Sequence, residues 1–588
     1  MDPSNLSNFG SKSGTQPLTE VCTRGMDISS KTGFLYRHEA LFVFAIGFLL
    51  LFPRIWCETS ITGQDEYWLS FRTPMETFAH DSWFTPWVNG EPRLKKPPLL
   101  YWAILLSYKL LGINLFAARI WGVLAGAGLA ACSTLLFREL FKKSGILAGL
   151  ITLATLTVAI EGRRAMLDLP LTFFTAMALF LAIKWGKSGR QGWILLSGFS
   201  IGLSFLVKGP VGIILFGVAC FSALFVFRKW DFLVSNWAQV FWASVLVVAV
   251  SLPWPIIMAY TWPNFLKIID SEVAARGIGT IHLGSPFSTI GGAFGLVFPW
   301  SLILFAALIR SIWHFREGTG EKDLWLTTWF FGCIIPFIFI RSFARYMTPL
   351  IPAASILCAN WLEEVTGRWR TGLLRVSISL LALASASFCL FFIWFGRGVP
   401  MAVLSLLVVG LMLWTTFSRK NVRVVAGTVA VLLTFMMGGI YPSLGVNAMP
   451  SDLDEIVGQK PVAAYNSSQP AMLSIRLKRS AIRIRSFKRQ DLRTLRNLDG
   501  FVFVRESDRD GFETLADKLG IFYKRAGQFK TFYSRQAWIR FAREDATAHD
   551  WVEAVENRSL ADLRPTLFYY EVKPHGTPTG REKGPEHQ

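Results

Sequence analysis

The sequence predicts a mainly α-helical, polytopic membrane protein with a soluble α/β domain at its C-terminal end. Three observations carry this reading. The 588 residues are 52% hydrophobic, and the mean hydropathy is +0.40, more apolar than a soluble globular chain. Apolar runs of about 16–24 residues recur between residues 40 and 441, the length a helix needs to cross a bilayer. From about residue 450 the pattern changes to short apolar β-type runs alternating with helix-like stretches.

Residues 1–39 are polar and rich in Ser, Thr and Gly. They are too long and polar for the charged start of a signal peptide, so a flexible cytoplasmic tail is expected, followed by an uncleaved anchor helix. A transmembrane domain is expected over 40–441. Its spans are placed near 40–56, 116–138, 145–160, 168–185, 192–207, 210–227, 239–260, 288–309, 324–340, 345–361, 371–395, 399–417 and 423–441, about thirteen in all. Residues 99–111 (LLYWAILLSYKLL) are short and carry Lys109, which suits a helix lying in the interface, with a further span as the alternative.

Charge placement orients these spans. With a cytoplasmic N-terminus, the inner connections hold Arg138, Lys142 and Lys143, Lys187 and Arg190, Arg228 and Lys229, Arg310, Arg316 and Lys322, Arg368 and Arg370, and Arg419, Lys420 and Arg423. All are short and basic, as the positive-inside rule requires. The membrane-proximal acids Asp65, Glu66, Asp81, Glu91, Glu161, Asp168, Asp270 and Glu272 fall on the opposite side. An odd span count puts the C-terminal region outside as well. Two outer loops, 57–115 and 261–287, exceed simple connections, and long loops in compact folds usually carry function.

In the C-terminal domain, 442–572, the runs Pro461–Tyr465 and Gly500–Val504 read as strands, and Gln490–Asn497 and Gly511–Leu519 as helices. Residues 573–588 have a disordered composition. The net charge of +20 reflects orientation signals and anionic lipid, not a nucleic-acid partner. The seven cysteines (Cys22, Cys57, Cys132, Cys220, Cys333, Cys358, Cys389) are scattered without a CxxC pair, which excludes a disulfide framework or a thiolate zinc site.

Charges held close to hydrocarbon are expensive and usually serve a function. Asp65-Glu66 directly follows the first span: a carboxylate here acts as general base, orients a sugar or cation, or simply caps a helix. Lys95-Lys96-Pro97-Pro98 offers a compact cation for phosphate on a proline-stiffened backbone, or ordinary snorkelling lysines. Glu161-Gly162-Arg163-Arg164 leads to Asp168 at the start of a span, charges that bind substrate or neutralise one another. Lys208 sits in a very tight turn, Lys208-Gly209-Pro210. His282 in the second long loop is a weaker candidate, since a lone histidine is more often structural. Arg341 and Arg345, with Tyr346 after them, face outward against the charge rule, which favours an anionic partner. Several cations with a few acids on one face suit a phosphate-linked sugar better than a cation.

The succession Asp65-Glu66, Trp83-Phe84-Thr85-Pro86, Asn89-Gly90, Lys96-Pro97-Pro98-Leu99-Leu100-Tyr101-Trp102, Asp168-Leu169-Pro170 and Lys208-Gly209-Pro210 resembles the bacterial aminoarabinose lipid A transferases. These belong with the protein O-mannosyltransferase-like group of GT-C glycosyltransferases. The resemblance covers roughly residues 40–360. It implies a GT-C fold, a polyprenyl-phosphate sugar as donor, and inverting transfer at the outer face of the bacterial inner membrane. It makes Asp65 the essential carboxylate, places Lys96 and Lys208 at the donor phosphate, and puts Asp168 in the same pocket. Arg163, Arg164, Arg341 and Arg345 are expected to help bind the phosphate, and Glu66, Tyr101, His282 and Tyr346 to support the site.

The chain departs from that pattern in places. Family members usually read Asp-Glu-x-Arg-Tyr, but here the sequence is Asp65-Glu66-Tyr67-Trp68-Leu69. They usually carry Glu before the Lys-Pro-Pro lysine, where it joins a loop histidine in a metal site. Here Lys95 stands at that position, and a protonated lysine cannot ligate, so no metal is expected. The turn at Arg341 lacks the family's nearby lysine. The expected activity is transfer of a sugar to a lipid A-like lipid or another envelope acceptor. A protein acceptor, and a transporter or flippase for polyprenyl-linked sugars, are the alternatives. Transporters often show paired repeats and mid-membrane broken helices, whereas these charges gather at one face. A scaffold reading rests on the basic stretch 476–496, which is expected to be a solvated face.

Overall fold

The computed structural model describes residues 38–275, 286–317, 319–340, 343–419, 421–466, 473–535, 538–540 and 542–574. Among these, seven helices are long and apolar enough to cross a membrane: Leu115–Phe141, Asp168–Ser188, Gln191–Lys208, Trp237–Thr261, Arg368–Trp394, Val399–Ser418 and Val422–Leu444. An eighth is a pair, Phe287–Leu296 and Ser301–Arg316, bent by 108° at a break that contains Pro299, a residue that cannot donate to the helix ladder. Shorter apolar helices run over His38–Leu51, Leu99–Leu111 and Val211–Phe227.

The expected count of about thirteen therefore differs from the seven or eight helices that qualify by length. The stretch expected over 145–160 is two short helices, Ile146–Leu153 and Leu156–Glu161, the second capped by the Thr155 hydroxyl. The stretch 345–361 opens as a 3₁₀ segment, Ala344–Leu350, before the α-helix Ile351–Glu364 begins. The helix Glu321–Ile338 starts with three charged residues. Apolar runs are legible in sequence; where the chain kinks inside them is decided by packing.

The basic turns do gather at one end of the bundle. Lys142 and Lys187 each lie 3.0 Å from Glu139, Lys143 and Arg310 reach Glu364 at 3.2 and 2.6 Å, and Arg423 reaches Glu363 at 3.1 Å. Asp65, Asp168, Lys208 and Arg345 meet at the other end.

The first long loop is structured. It contains Gln64–Glu66, a π-helical turn over Tyr67–Arg72, the helix Thr73–Ala79, a two-residue hairpin pairing Trp87–Val88 with Glu91–Pro92, and the helix Leu99–Leu111. Tyr67, Phe71, Met75, Leu100, Ile104 and Tyr108 form a buried core beneath it. Its neighbour, the turn at residues 162–164, packs so closely on the helix Leu115–Phe141 that a Cβ at Gly122 would meet the Arg164 carbonyl oxygen at 2.2 Å. Backbone cannot yield there as a flexible side chain would. Gly122→Ala is expected to cost about 1–3 kcal/mol, read as a lower melting temperature in detergent; an unchanged melting curve would show that the turn is free to move.

The C-terminal region forms a five-stranded mixed sheet with the order Ile482–Ile484, Val462–Tyr465, Gly500–Arg505, Thr566–Lys573, Phe522–Lys530. The first three are parallel and the last two antiparallel to their neighbours. The strands and helices expected from sequence appear within two residues, the helices as Arg489–Arg496 and Arg509–Leu519. The charged strand Phe522–Lys530 was not legible: it lies at a sheet edge with mostly exposed residues, so it carries no apolar run. This domain is tied to the first loop. Ile475 joins the buried core under that loop, Ser474 and Tyr67 share a hydrogen bond of 3.1 Å, and Arg476 lies 3.6 Å from Glu58.

Candidate active site

Asp168 is the first residue of the helix Asp168–Ser188, where the helix dipole favours a carboxylate. Lys208 is the last residue of Gln191–Lys208, where the dipole favours a cation, and Gly209 at φ +77° ends that helix. The antiparallel packing of these neighbouring helices brings both ends together. Lys208 Nζ donates to Asp168 at 2.5 Å, with side-chain exposures of 8% and 2%. A pair this dry is costly to break.

Arg345, on the 3₁₀ segment Ala344–Leu350, joins a second carboxylate to the first. Its Nη2 donates to Asp65, and its Nε lies 3.6 Å from Asp168. Burial works against the Arg345 charge, but Asp168 and Asp65 outweigh it and hold its pKa above the usual arginine value. The Tyr346 ring lies under the Lys208 ammonium at 3.8 Å. Asp65 itself is 40% exposed, the accessible acid of the group. These residues, with Trp68, Leu69, Arg93, Lys96, Met166, Leu167 and Phe343, line a pocket of about 190 Å³.

Lys96 enters from the loop before the helix Leu99–Leu111 and bonds Glu272 of the helix Phe265–Ala274 at 2.8 Å. Lys95 lies 3.9 Å from the same carboxylate. Both ammonium groups thus lie against the Glu272 carboxylate, and among the described residues no group of three or more His, Cys, Asp or Glu side chains could hold a metal ion.

The remaining expected residues are placed differently. Glu66 points away from the pocket and is fully buried. It accepts from Arg119 Nε at 2.9 Å and Nη2 at 3.2 Å, from Thr62 at 2.5 Å, and from the Ala165 amide at 2.8 Å. Burial alone would raise its pKa, but Arg119 and Arg164 bring it below the ordinary value. Arg164 pairs with Glu161 at 2.6 Å and stands 3.8 Å from Glu66. Arg163 bonds the main-chain carbonyls of Ala159 and Leu50 at 2.7 and 2.6 Å. Neither arginine lines the pocket, which corrects their expected place at a phosphate. The turn at 162–164 folds their heads inward, onto main chain and buried acids. Tyr101 is buried and also does not line it. Arg341 and His282 lie outside the described residues.

Sequence reasoning missed Arg119 and Arg93. Arg119 is a charge near the start of a long apolar helix, and that was a signal: its guanidinium fixes Glu66 and also bonds the carbonyls of Ile55 and Cys57 at 3.1 and 3.3 Å. Arg93 is one of many basic residues in the long loop, and only the hairpin places it at the pocket.

Residues 95–256 match the family described as dolichyl-phosphate-mannose-protein mannosyltransferase. An undecaprenyl phosphate-α-4-amino-4-deoxy-L-arabinose arabinosyl transferase of Pseudomonas aeruginosa is 24% identical over 431 residues, covering 68% of this chain and 77% of that one. The chain is similar to these glycosyltransferases. An arabinosyl transferase of the same description from Pseudomonas fluorescens is 26% identical over 313 residues, 50% of this chain, and the chain spans about half (53%) of that relative's length. The fold is similar to the crystal structure of ArnT from Cupriavidus metallidurans bound to undecaprenyl phosphate, with a TM-score of 0.64 at 19% identity, covering 92% of this chain and 98% of that one. Its apo form gives 0.62 at 18% identity.

Proposed function

We propose that this chain moves a sugar from an undecaprenyl-phosphate-type donor to a lipid A-like or other envelope lipid, at the periplasmic face of the bacterial inner membrane. The observation that carries this reading is the pocket in which Asp65 and Asp168 share Arg345 while Lys208 and Lys96 stand in the same wall. The relatives named as undecaprenyl-phosphate aminoarabinose transferases support the donor class.

In this mechanism an acceptor oxygen attacks the anomeric carbon from the side opposite the phosphate. The sugar–phosphate C–O bond breaks, and the electron pair leaves with polyprenyl phosphate. Lys96, Lys208 and Arg345 stabilise the charge growing on that leaving group, a contribution usually large because the cations are already in place. Asp65, the exposed acid, takes the proton of a hydroxyl acceptor and passes it to water. With an ionised phosphate acceptor no proton moves, and Asp65 orients the acceptor instead. Asp168 holds Lys208 and Arg345 in position.

Purified protein in nanodiscs, supplied with a polyprenyl-phosphate sugar and membrane lipid extract, is expected to release polyprenyl phosphate and glycosylate a lipid. Movement of intact donor between leaflets without release would support a flippase instead, and label in protein would support a protein acceptor. Lys96→Ala is expected to raise the donor KM about tenfold or more, the loss of one charge-assisted contact, with a smaller fall in kcat. An unchanged KM would place the donor phosphate elsewhere.

A further inference from the structure

A second, larger cleft of about 740 Å³ lies between the first long loop and the C-terminal domain, within the range that holds a ligand headgroup. One wall is the segment around Arg72, Glu76 and Glu91; the other is residues 478–494, part of the basic stretch 476–496 expected from sequence to be a solvated face. Six cations (Arg72, Lys478, Arg479, Arg483, Arg485, Lys488) meet three carboxylates (Glu76, Glu91, Asp491), an excess of three positive charges.

Two of those carboxylates are already engaged. Glu76 accepts from Arg72 Nε at 2.6 Å and from the Gly90 amide at 3.3 Å. Asp491 accepts from the Arg485 amide, Nε and Nη2 at 3.0, 2.6 and 3.3 Å. Among the described residues Arg483, Lys478 and Lys488 form no ion pair at contact distance, and Asp491 acts on Arg483 and Lys488 only at longer range. Arg479 Nε is buried without a hydrogen-bond partner, while its Nη1 and Nη2 donate to Gln459 and the Gly458 carbonyl at 3.4 and 2.7 Å. Burial, Arg485 and Arg72 push the Arg483 pKa below the usual arginine value, the direction expected of a guanidinium crowded by like charge.

The cleft is joined to the active-site pocket through one side chain. Trp68 lines that pocket, and its ring is flanked by Arg72 at 5.2 Å and Arg483 at 5.9 Å. A molecule seated among these arginines lies one indole away from the Asp65 pocket. Guanidinium groups at such spacing recognise phosphate oxygens through charge-assisted hydrogen bonds.

We infer that this cleft anchors the acceptor by a phosphate group on its saccharide head, so that its reactive oxygen reaches past Trp68 to Asp65. The role as acceptor site rests on the transferase reading above; the binding of a phosphate does not. The ligand chemistry is a phosphate monoester next to sugar hydroxyls, and its alternative source is the headgroup of ordinary anionic phospholipid.

The test uses the full chain in nanodiscs of zwitterionic lipid, with binding read by native mass spectrometry. The probes are a bis-phosphorylated glucosamine-disaccharide lipid, its dephosphorylated form, phosphatidylglycerol and polyprenyl phosphate. The phosphorylated glycolipid is expected to bind at least about tenfold tighter than its dephosphorylated form, and Arg483→Ala to weaken it about tenfold. Polyprenyl phosphate should be weakened less than twofold by the same change. Lys478→Ala with Lys488→Ala, both exposed and free of packing roles, should reproduce the loss if Arg483→Ala folds poorly. Equal binding of the two glycolipids, equal competition by phosphatidylglycerol, or equal loss of polyprenyl phosphate would overturn the inference. Phosphate-selective binding by a protein that shows no transfer would retain the site and reject only the transferase reading.

Discussion

Asp65→Asn is expected to lower kcat about 10³-fold, within the range attributed to a positioned base, while leaving the melting temperature within about a degree. The reasoning rests on exposure. Asp65 is 40% exposed, and its one strong partner, Arg345, keeps a second carboxylate in Asp168. Removing the Asp65 charge therefore strands no buried cation and disturbs little of the fold. The change is nearly isosteric, so donor affinity should remain within about threefold. Turnover would be measured as polyprenyl phosphate released per enzyme, with the melt recorded on the same preparation. Activity within tenfold of the unaltered chain would remove Asp65 from the mechanism.

Glu66→Gln, one residue later, is expected to do the reverse. Its carboxylate is fully buried and takes bonds from Arg119, Thr62 and the Ala165 amide. Neutralising it leaves the Arg119 guanidinium in a dry site with carbonyls alone. Breaking one side of such a pair costs about 3–5 kcal/mol, enough to lower the melting temperature by about 5 °C or more. Removing both charges, as in Glu66→Gln with Arg119→Met, should recover part of that loss, because no charge is then stranded. If the single change melts like the unaltered chain, Glu66 is not the strut described. The sign of the pH dependence follows: a carboxylate whose pKa is lowered by folding stabilises fully at neutral pH. That contribution is lost as pH falls below the ordinary carboxylate range.

These adjacent acids show what a sequence tells. Asp65, Lys96, Asp168, Lys208 and Arg345 were legible because charge beside hydrocarbon is improbable without a use, and the structure brings all five to one pocket. Which of Asp65 and Glu66 faces that pocket was not legible. The answer depends on Arg119, which lies in another helix and reaches back across 53 residues. Arg163 and Arg164 failed for a similar reason: the turn that carries them folds their heads inward, and no spacing rule describes that turn. In the C-terminal domain the buried strands were legible from their unbroken apolar runs. The edge strand Phe522–Lys530 was not, since an edge needs little burial. Span number was the weakest expectation, because hydropathy reports how much apolar chain there is and not where a 3₁₀ turn or a proline interrupts it.

The bond between Tyr67 and Ser474 joins positions 407 residues apart, and Arg345 reaches Asp65 across 280. Chains are made from the N-terminus, and early segments begin to fold while later ones are still being added. Asp65 must therefore wait through much of synthesis for Arg345, and Tyr67 longer still for the segment that carries Ser474 and Ile475. Until that last segment docks, the apolar core beneath the loop lacks its last buried member, Ile475. A chain cut short before residue 473 would hold every pocket residue named here and still lack the piece that seats them, so truncation at the far end is damage to the centre.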